Sequence, residues 1–449
     1  MITLKLRYEN SNVPKQELVK VTKKLESELE LFREVRKNGD YSNERSFINL
    51  PFDHENIKAT TALAKEKLKL KPAAIFVVGI GGSILGTLAV QEAVLGKLYN
   101  ESGKGTKVFY VDTLDPLSIA TILHLINGLL KKGQKVLINI VSKSGTTTET
   151  IANFELLEWL LKKHSPKKYQ SNIIATTDRD SKLWRLAIRN GWSLLEIPKK
   201  VGGRYSVLSA VGLFPLALLR TDIKSLVDGA AEMAKYCLKQ DQNIMSNPAV
   251  IGASLAYIHY KKGKPIHDLF LWSPNLEGIG KWWRQLVGEG LAKEFDLNGK
   301  RVFEGITPTV SIGSNDMHSM APLYLAGPFD KWTTFVRVIE NKESPRLPVI
   351  EEYERIVPKI QGKRIDELRN TILDGVQAAY KKNKRPFAEI TLPDLSTKSI
   401  GQFIMLKMIE TVLIGSLLNV NPFDQPAVEK YKAETRVLLA KRFEKGNGY

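Results

Sequence analysis

Apolar residues in this chain gather into short, unbroken runs. Ala73–Val78, Lys107–Val111, Lys135–Val141, Ile173–Thr177 and Ser193–Ile197 each have strand length. An apolar run without polar alternation marks a strand buried on both faces. Between them, Ser83–Leu98, Asp115–Leu130, Thr147–Lys163 and Ser181–Asn190 have helical spacing. Asp115 and Pro116 suit an N-cap followed by the first helical position, and Gly191 suits a helix stop. Strands alternating with helices predict βαβ units and a parallel sheet. Val207–Leu219 is apolar all round and predicts a buried helix, and Asp222–Gln240 and Pro248–Tyr260 continue as helices. A second alternating block follows. Its strands are Ile266–Trp272, Thr333–Ile339 and Phe387–Leu392, and its helices Glu277–Val287, Met317–Ala326, Arg364–Lys381 and Ser399–Leu418. Glu429–Phe443 predicts a closing amphipathic helix. The expected division is a peripheral lead-in over 1–50 with one helix at Lys15–Lys37, an α/β domain over 51–221, a second α/β domain with connecting helices over 222–420, and a helical tail over 421–449.

Composition narrows this picture. The 449 residues are 43% hydrophobic and 25% charged, the balance of an ordinary globular chain with ample core. Lys and Arg number 66 against 48 Asp and Glu, a net charge of +18, which favours an anionic partner: nucleic acid, a membrane surface or a phosphorylated metabolite. The single cysteine, Cys237, excludes an intramolecular disulfide and a cysteine-based zinc site, and fits a reducing compartment. The six histidines form no metal-ligand spacing, so no metal is expected. Met1–Asn10 has no apolar leader core, and Tyr205–Leu219 is too short to span a membrane. The chain is therefore expected in the cytoplasm.

Six segments carry candidate chemistry. Gly79–Ser83 (GIGGS) lies between a strand and a helix, where glycines and free N–H groups admit an anion; a plain tight turn is the alternative. Ser142–Thr148 (SKSGTTT) has the same placement. Its hydroxyls, Lys143, freed backbone and helix start exceed what a cap needs, and they favour a phosphate monoester. Gly202-Gly203-Arg204 sets a guanidinium at a helix mouth, suited to an oxyanion or to the surface. Gln285 and Glu289 share a helical face after Trp282-Trp283, so Glu289 is either a base or a solvated helix-end carboxylate. His318 stands in NDMHS, beside the helix-capping candidates Asn315 and Asp316. Gln425 and Lys432 sit two turns apart around Pro426, on a face that either meets a sugar or only solvent.

Together these segments resemble the glucose-6-phosphate isomerase (phosphoglucose isomerase) family from about residue 45 to 440. The most specific pieces are VGIGGS (Val78–Ser83), SKSGTTTET (Ser142–Thr150), GGRYSVLSAVG (Gly202–Gly212), WWRQLVGE (Trp282–Glu289) and NPFDQPAVEKYK (Asn421–Lys432). The resemblance implies two doubly wound sugar-isomerase (SIS) domains. It also implies reversible conversion of glucose 6-phosphate to fructose 6-phosphate, in glycolysis and gluconeogenesis, with no cofactor. Gly82, Ser83, Ser142, Lys143, Ser144 and Thr147 are implied in substrate phosphate binding, and Gln285 and Gln425 in positioning substrate. Glu289 is implied as the base between C2 and C1, Arg204 as stabiliser of the cis-enediol(ate), and His318 and Lys432 as helpers of ring opening. The resemblance further implies a homodimer in which His318 serves the neighbouring subunit.

Two positions depart from the family pattern. Gly290, Leu291 and Ala292 stand where Ser-x-Gly is usual before Lys293, and Met317 replaces a Gln. A thioether cannot donate the amide hydrogen bond. Neither change removes a catalytic group. Other readings are an isomerase of another sugar phosphate, or a non-catalytic sugar-phosphate-binding SIS protein; Glu289, His318 and Lys432 together count against the latter. No basic–aromatic interleaving supports nucleic acid, and no membrane partner is expected.

Overall fold

The computed structural model describes residues 2–443 apart from 104, 241, 242 and 342. The strands among them, in chain order, are β1 (Lys5–Arg7), β2 (Ala74–Val78), β3 (Lys107–Val111), β4 (Val136–Val141), β5 (Ile173–Thr177), β6 (Ser193–Glu196), β7 (Ile266–Leu271), β8 (Lys293–Phe295), β9 (Arg301–Glu304), β10 (Thr307–Ile312), β11 (Lys331–Val338) and β12 (Phe387–Leu392). Two five-stranded sheets result, ordered β3-β2-β4-β5-β6 and β1-β12-β11-β7-β10. Every pairing in the first is parallel, as the apolar runs predict. The second is parallel except at β1, which pairs antiparallel to β12. β8 and β9 form a separate hairpin.

The first chain reversal places the site. After β2 the chain goes outward to β3, then returns across β2 to β4. Strand order reverses between β2 and β4, and in open parallel sheets ligands bind beyond the carboxyl ends of the strands at such a point. The second sheet reverses likewise around β7, with β10 on one side and β11 on the other.

Local signals set the helices. Asp115 accepts from the Ser118 N–H and caps Pro116–Lys131, and Ser181 caps Lys182–Asn190, which ends at Gly191 with φ of 68°. The 22-residue helix Thr397–Leu418 is long and apolar enough to cross a membrane. It is instead the central core helix, packed against Ile223–Cys237, Pro248–Lys261 and Glu277–Leu291.

Three expectations need correction. The lead-in, over its described residues 2–50, is not peripheral: β1 extends the second sheet, and Leu25, Phe32, Phe47 and Ile48 lie in the main core. Their helix breaks into Lys15–Thr22 and Glu26–Asn38 around a 3₁₀ turn, and a further helix, His54–Leu68, precedes β2. The expected helix Met317–Ala326 is a 3₁₀ turn, Asn315–Met317, then a short helix, Ala321–Leu325. The closing helix, Pro426–Phe443, has no buried face among the described residues: Tyr431, Val437 and Leu438 are exposed along with its charged residues. Residues 444–449 of the tail lie outside the described residues.

Candidate active site

β2 and β4 end side by side, with Val78 opposite Ile140. Beyond β2 the chain turns through a 3₁₀ segment, Gly81–Ser83, before the helix Leu85–Leu95. Gly82 lies against the loop that carries Arg204. A Cβ there would fall 2.2 Å from the Gly203 carbonyl carbon and 2.6 Å from the Arg204 nitrogen, so only glycine admits this approach. Gly82→Ala is expected to cost about 1–3 kcal/mol through overpacking and to lower turnover by displacing Arg204. Urea unfolding and steady-state kinetics measure the two effects.

Beyond β4, residues 142–147 wrap into a compact turn. The Gly145 N–H donates to Ser142 Oγ at 3.2 Å, Ser142 and Thr147 hydroxyls lie 3.2 Å apart, and Thr146 N–H donates to Ser144 Oγ at 3.3 Å. Gly145 takes φ of +65° against Leu183 and Ser181, a conformation and a space that suit only glycine. Thr177 Oγ1 donates to the Ser142 carbonyl and ties the loop to β5. The helix Thr148–His164 begins here, so its free N–H groups lie at the end of this turn. Lys143 is half-buried. Burial lowers its pKa below the ordinary lysine value, and Lys200 and Arg204 lower it further, while Asp178 and Glu44 oppose. A cation in that position gains from a bound anion.

Arg204 is wholly buried, and its donors fan out over three partners. Nη1 donates to Glu289 Oε1 at 2.6 Å; Nη2 donates to the carbonyls of Pro422 at 2.6 Å and Asp424 at 3.2 Å. Its own carbonyl accepts from Trp282 Nε1. Tyr205 stacks on Phe47, meets the tilted Phe423 ring and donates to the Pro422 carbonyl, so the lead-in and the tail both pack against this loop.

Glu289 stands in the last turn of the helix Glu277–Leu291. Its second oxygen accepts from Gln285 Nε2 at 2.8 Å, one turn back on the same face. The carboxylate is thus held between an amide and a guanidinium and remains partly open to solvent (17% exposed). Gln285 Oε1 and Arg204 Nε have no hydrogen-bond partner among the described residues, which leaves one acceptor and one donor uncommitted beside it. Lys293 follows the helix and donates to the Glu289 carbonyl at 2.8 Å and the Asp424 carbonyl at 3.0 Å.

The structure therefore joins Gly82, Arg204, Gln285 and Glu289 in direct contact. It sets the turn of Ser142, Lys143, Ser144 and Thr147 beside the loop holding Ser83, and Gln425 follows the carbonyl that Arg204 and Lys293 grip. It does not bring His318 or Lys432 to Glu289. His318 is exposed and its ring makes no hydrogen bond among the described residues, while Lys432 pairs with Glu429 at 3.0 Å on the exposed closing helix. Met317, the departure beside His318, packs against the aromatic cluster of Phe270, Trp272 and Tyr324. Sequence reasoning missed Lys200, paired with Glu44 at 2.9 Å, and Asp424; their roles depend on long-range pairing that no local pattern marks. Among the described residues no three His, Cys, Asp or Glu side chains gather as metal ligands.

Comparison with known proteins bears on this arrangement. A family model described as phosphoglucose isomerase matches residues 69–446. The glucose-6-phosphate isomerase of Carboxydothermus hydrogenoformans is 32% identical over 427 residues, 93% of this chain and 89% of that one. The probable glucose-6-phosphate isomerase of Methanococcus maripaludis is 34% identical over 355 residues, 79% and 76% of the two chains. Among solved structures, a hypothetical protein of Thermus thermophilus superposes with a TM-score of 0.84 at 29% identity, covering 98% of this chain and 100% of that one. A glucose-6-phosphate isomerase from Chlamydia trachomatis gives 0.81 at 18% identity over 99% and 89%, a likeness of fold.

Proposed function

The chain belongs to the phosphoglucose isomerase family, and we propose from that premise how its residues divide the work. It is an aldose–ketose isomerase that interconverts glucose 6-phosphate and fructose 6-phosphate. The observation that carries the assignment of roles is the Glu289 carboxylate clamped between Arg204 and Gln285, beside two anion-ready loops at neighbouring strand ends.

The phosphate is the handle. Ser142, Ser144, Thr147, Ser83 and the Gly82 backbone offer neutral donors, and Lys143 offers charge at a helix start. With the phosphate anchored, the open-chain sugar extends toward Glu289. Its carboxylate takes the C2 proton of the aldose; the C2–H electrons form the C1–C2 double bond, and the C1 oxygen gains the charge. Arg204 stabilises that cis-enediol(ate), and because a guanidinium does not give up its proton it acts by charge and hydrogen bonding alone. Glu289 returns the proton to C1 while the hydroxyl proton on O2 passes to O1, which leaves the ketose. Gln285 and Gln425 orient the hydroxyls. His318 exchanges protons with the ring oxygen and the anomeric hydroxyl as the ring opens; Lys432, paired with Glu429 on the exposed closing helix, joins it only when that helix docks onto the site.

The exposure of His318 supports the idea that it serves a second copy of the chain. So do the closing helix without a buried face and the exposed Leu117 and Trp159. In the proposed homodimer each site receives His318 of the partner subunit. A mixture of Arg204→Ala and His318→Ala chains then regains about a quarter of wild-type activity, because half the dimers are mixed and one site in each is intact. No recovery after subunit exchange contradicts the shared site. The single cysteine, Cys237, is buried and its thiol pushed up to about 12 by burial, which predicts that thiol reagents spare activity.

A coupled assay on the purified protein tests the substrate assignment: both hexose phosphates are consumed and reach the same equilibrium mixture from either side. Turnover of neither removes it.

A further inference from the structure

The segment that carries His318 runs from the end of β10 to the helix Ala321–Leu325, and one buried carboxylate reaches both of its ends. Asp268 lies on β7, wholly out of solvent. Its Oδ1 accepts from Thr309 Oγ1 at 2.8 Å and Ser311 Oγ at 3.0 Å, both on β10. Each hydroxyl has one proton, so with Ser311 donating to Asp268, Tyr324 Oη donates to Ser311 and sits 3.5 Å from the carboxylate, held to it through Ser311. Ser311 precedes His318 by seven residues and Tyr324 follows it by six, so a single acceptor pins the strand end before the histidine and the helix after it. Within the segment, Asp316 Oδ2 accepts from the Ile312 N–H at 2.6 Å, which closes the turn. His318 has no side-chain partner of its own among the described residues, so its placement rests on the segment's backbone.

A carboxylate is a costly choice at this position. Oδ2 of Asp268 has no hydrogen-bond partner among the described residues. Burial pushes the group up to about 6 although hydroxyl donors oppose the shift, and the nearby Asp316 adds repulsion. Packing alone favours an apolar residue here. A carboxylate oxygen with several lone pairs, in contrast, gathers Thr309 and Ser311 directly and Tyr324 through Ser311, so that two elements meet at one point. We propose that Asp268 is a positioning residue for the reaction: it sets where His318 stands, through Ser311 and Tyr324, without touching substrate. The proposal rests on the role of His318 given above.

Asp268→Asn and Tyr324→Phe, each alone and combined with His318→Ala, test it. Misplacing a catalytic group by about 1 Å can cost up to ~100-fold in rate. Asp268→Asn is accordingly expected to lower kcat about ten- to hundredfold with KM little changed, and Tyr324→Phe to lower it less. In the His318→Ala background neither change lowers kcat further, because both act through the group already removed. Losses that multiply in that background, or an unchanged kcat in both single variants, overturn the positioning role. Full activity of His318→Ala alone overturns the role of His318 itself, a separate failure. Tyr324→Phe retains the ring packed among Phe270 and Trp272 and carries the test if Asp268→Asn does not fold.

Discussion

Glu289→Gln is expected to lower kcat by at least ~10²–10⁴-fold, the scale of losing a general base, with KM for fructose 6-phosphate little changed. The substitution removes the proton acceptor and keeps the shape. Arg204 can still donate to the new amide oxygen, and it retains the Pro422 and Asp424 carbonyls. Gln285 turns its unpartnered Oε1 toward the new NH₂ group, which avoids two donors facing each other. The chain should therefore fold, and circular dichroism with an unfolding curve separates lost chemistry from lost structure. KM is spared because the proposed phosphate handle, the 142–147 turn, lies away from the change. Retention of most turnover would remove Glu289 from the role of base.

Arg204→Lys is expected to lower kcat by about 10²–10³-fold, as removal of an oxyanion donor does elsewhere. Charge alone is not the point: lysine keeps the charge and loses the fork. Arg204 reaches Glu289 on one side and two tail carbonyls on the other, and a lysine ammonium cannot span all three positions. The segment 422–425 loses an anchor as well, so stability should fall by about 1–3 kcal/mol, the cost of leaving buried acceptors unpaired. Steady-state kinetics and urea unfolding measure the two. Wild-type turnover in Arg204→Lys contradicts the assigned role.

These predictions concern residues that are legible in the sequence alone, and the reason is physical. Gly82 and Gly145 stand where a side chain collides with backbone or where φ is positive, so glycine-rich turns between strand and helix mark themselves. β2, β4 and β5 read as apolar runs because parallel strands are covered on both faces. β10, with Thr307, Thr309 and Ser311, does not read as a strand. Two of its hydroxyls turn inward to Asp268, and a buried polar cluster erases the apolar signal. β1 has three residues at a sheet edge, too few to show a period, so the lead-in reads as peripheral when it is core. The loop holding His318 reads as helix because Met317, Met320 and Tyr324 fall at helical spacing, yet they pack on one aromatic cluster from a turn. Lys200 with Glu44, and Lys293 with Asp424, meet across long stretches of chain that no local window contains.

The net charge of +18 also changes meaning. A sugar phosphate needs only a few cations, and Lys143, Lys200 and Arg204 act on one another electrostatically at the site. Of the others, Lys293, Lys331, Arg337, Arg385 and Lys407 are buried and most of the rest lie on the surface.

Hydrogen exchange during turnover tests the central claim most directly. With fructose 6-phosphate in D₂O, deuterium should enter C2 of the glucose 6-phosphate formed by the wild-type protein, because Glu289 is partly open to solvent and trades its proton there. With Glu289→Gln that exchange should fall by the same large factor as kcat. Deuterium entering C2 at an undiminished rate in Glu289→Gln would contradict the account.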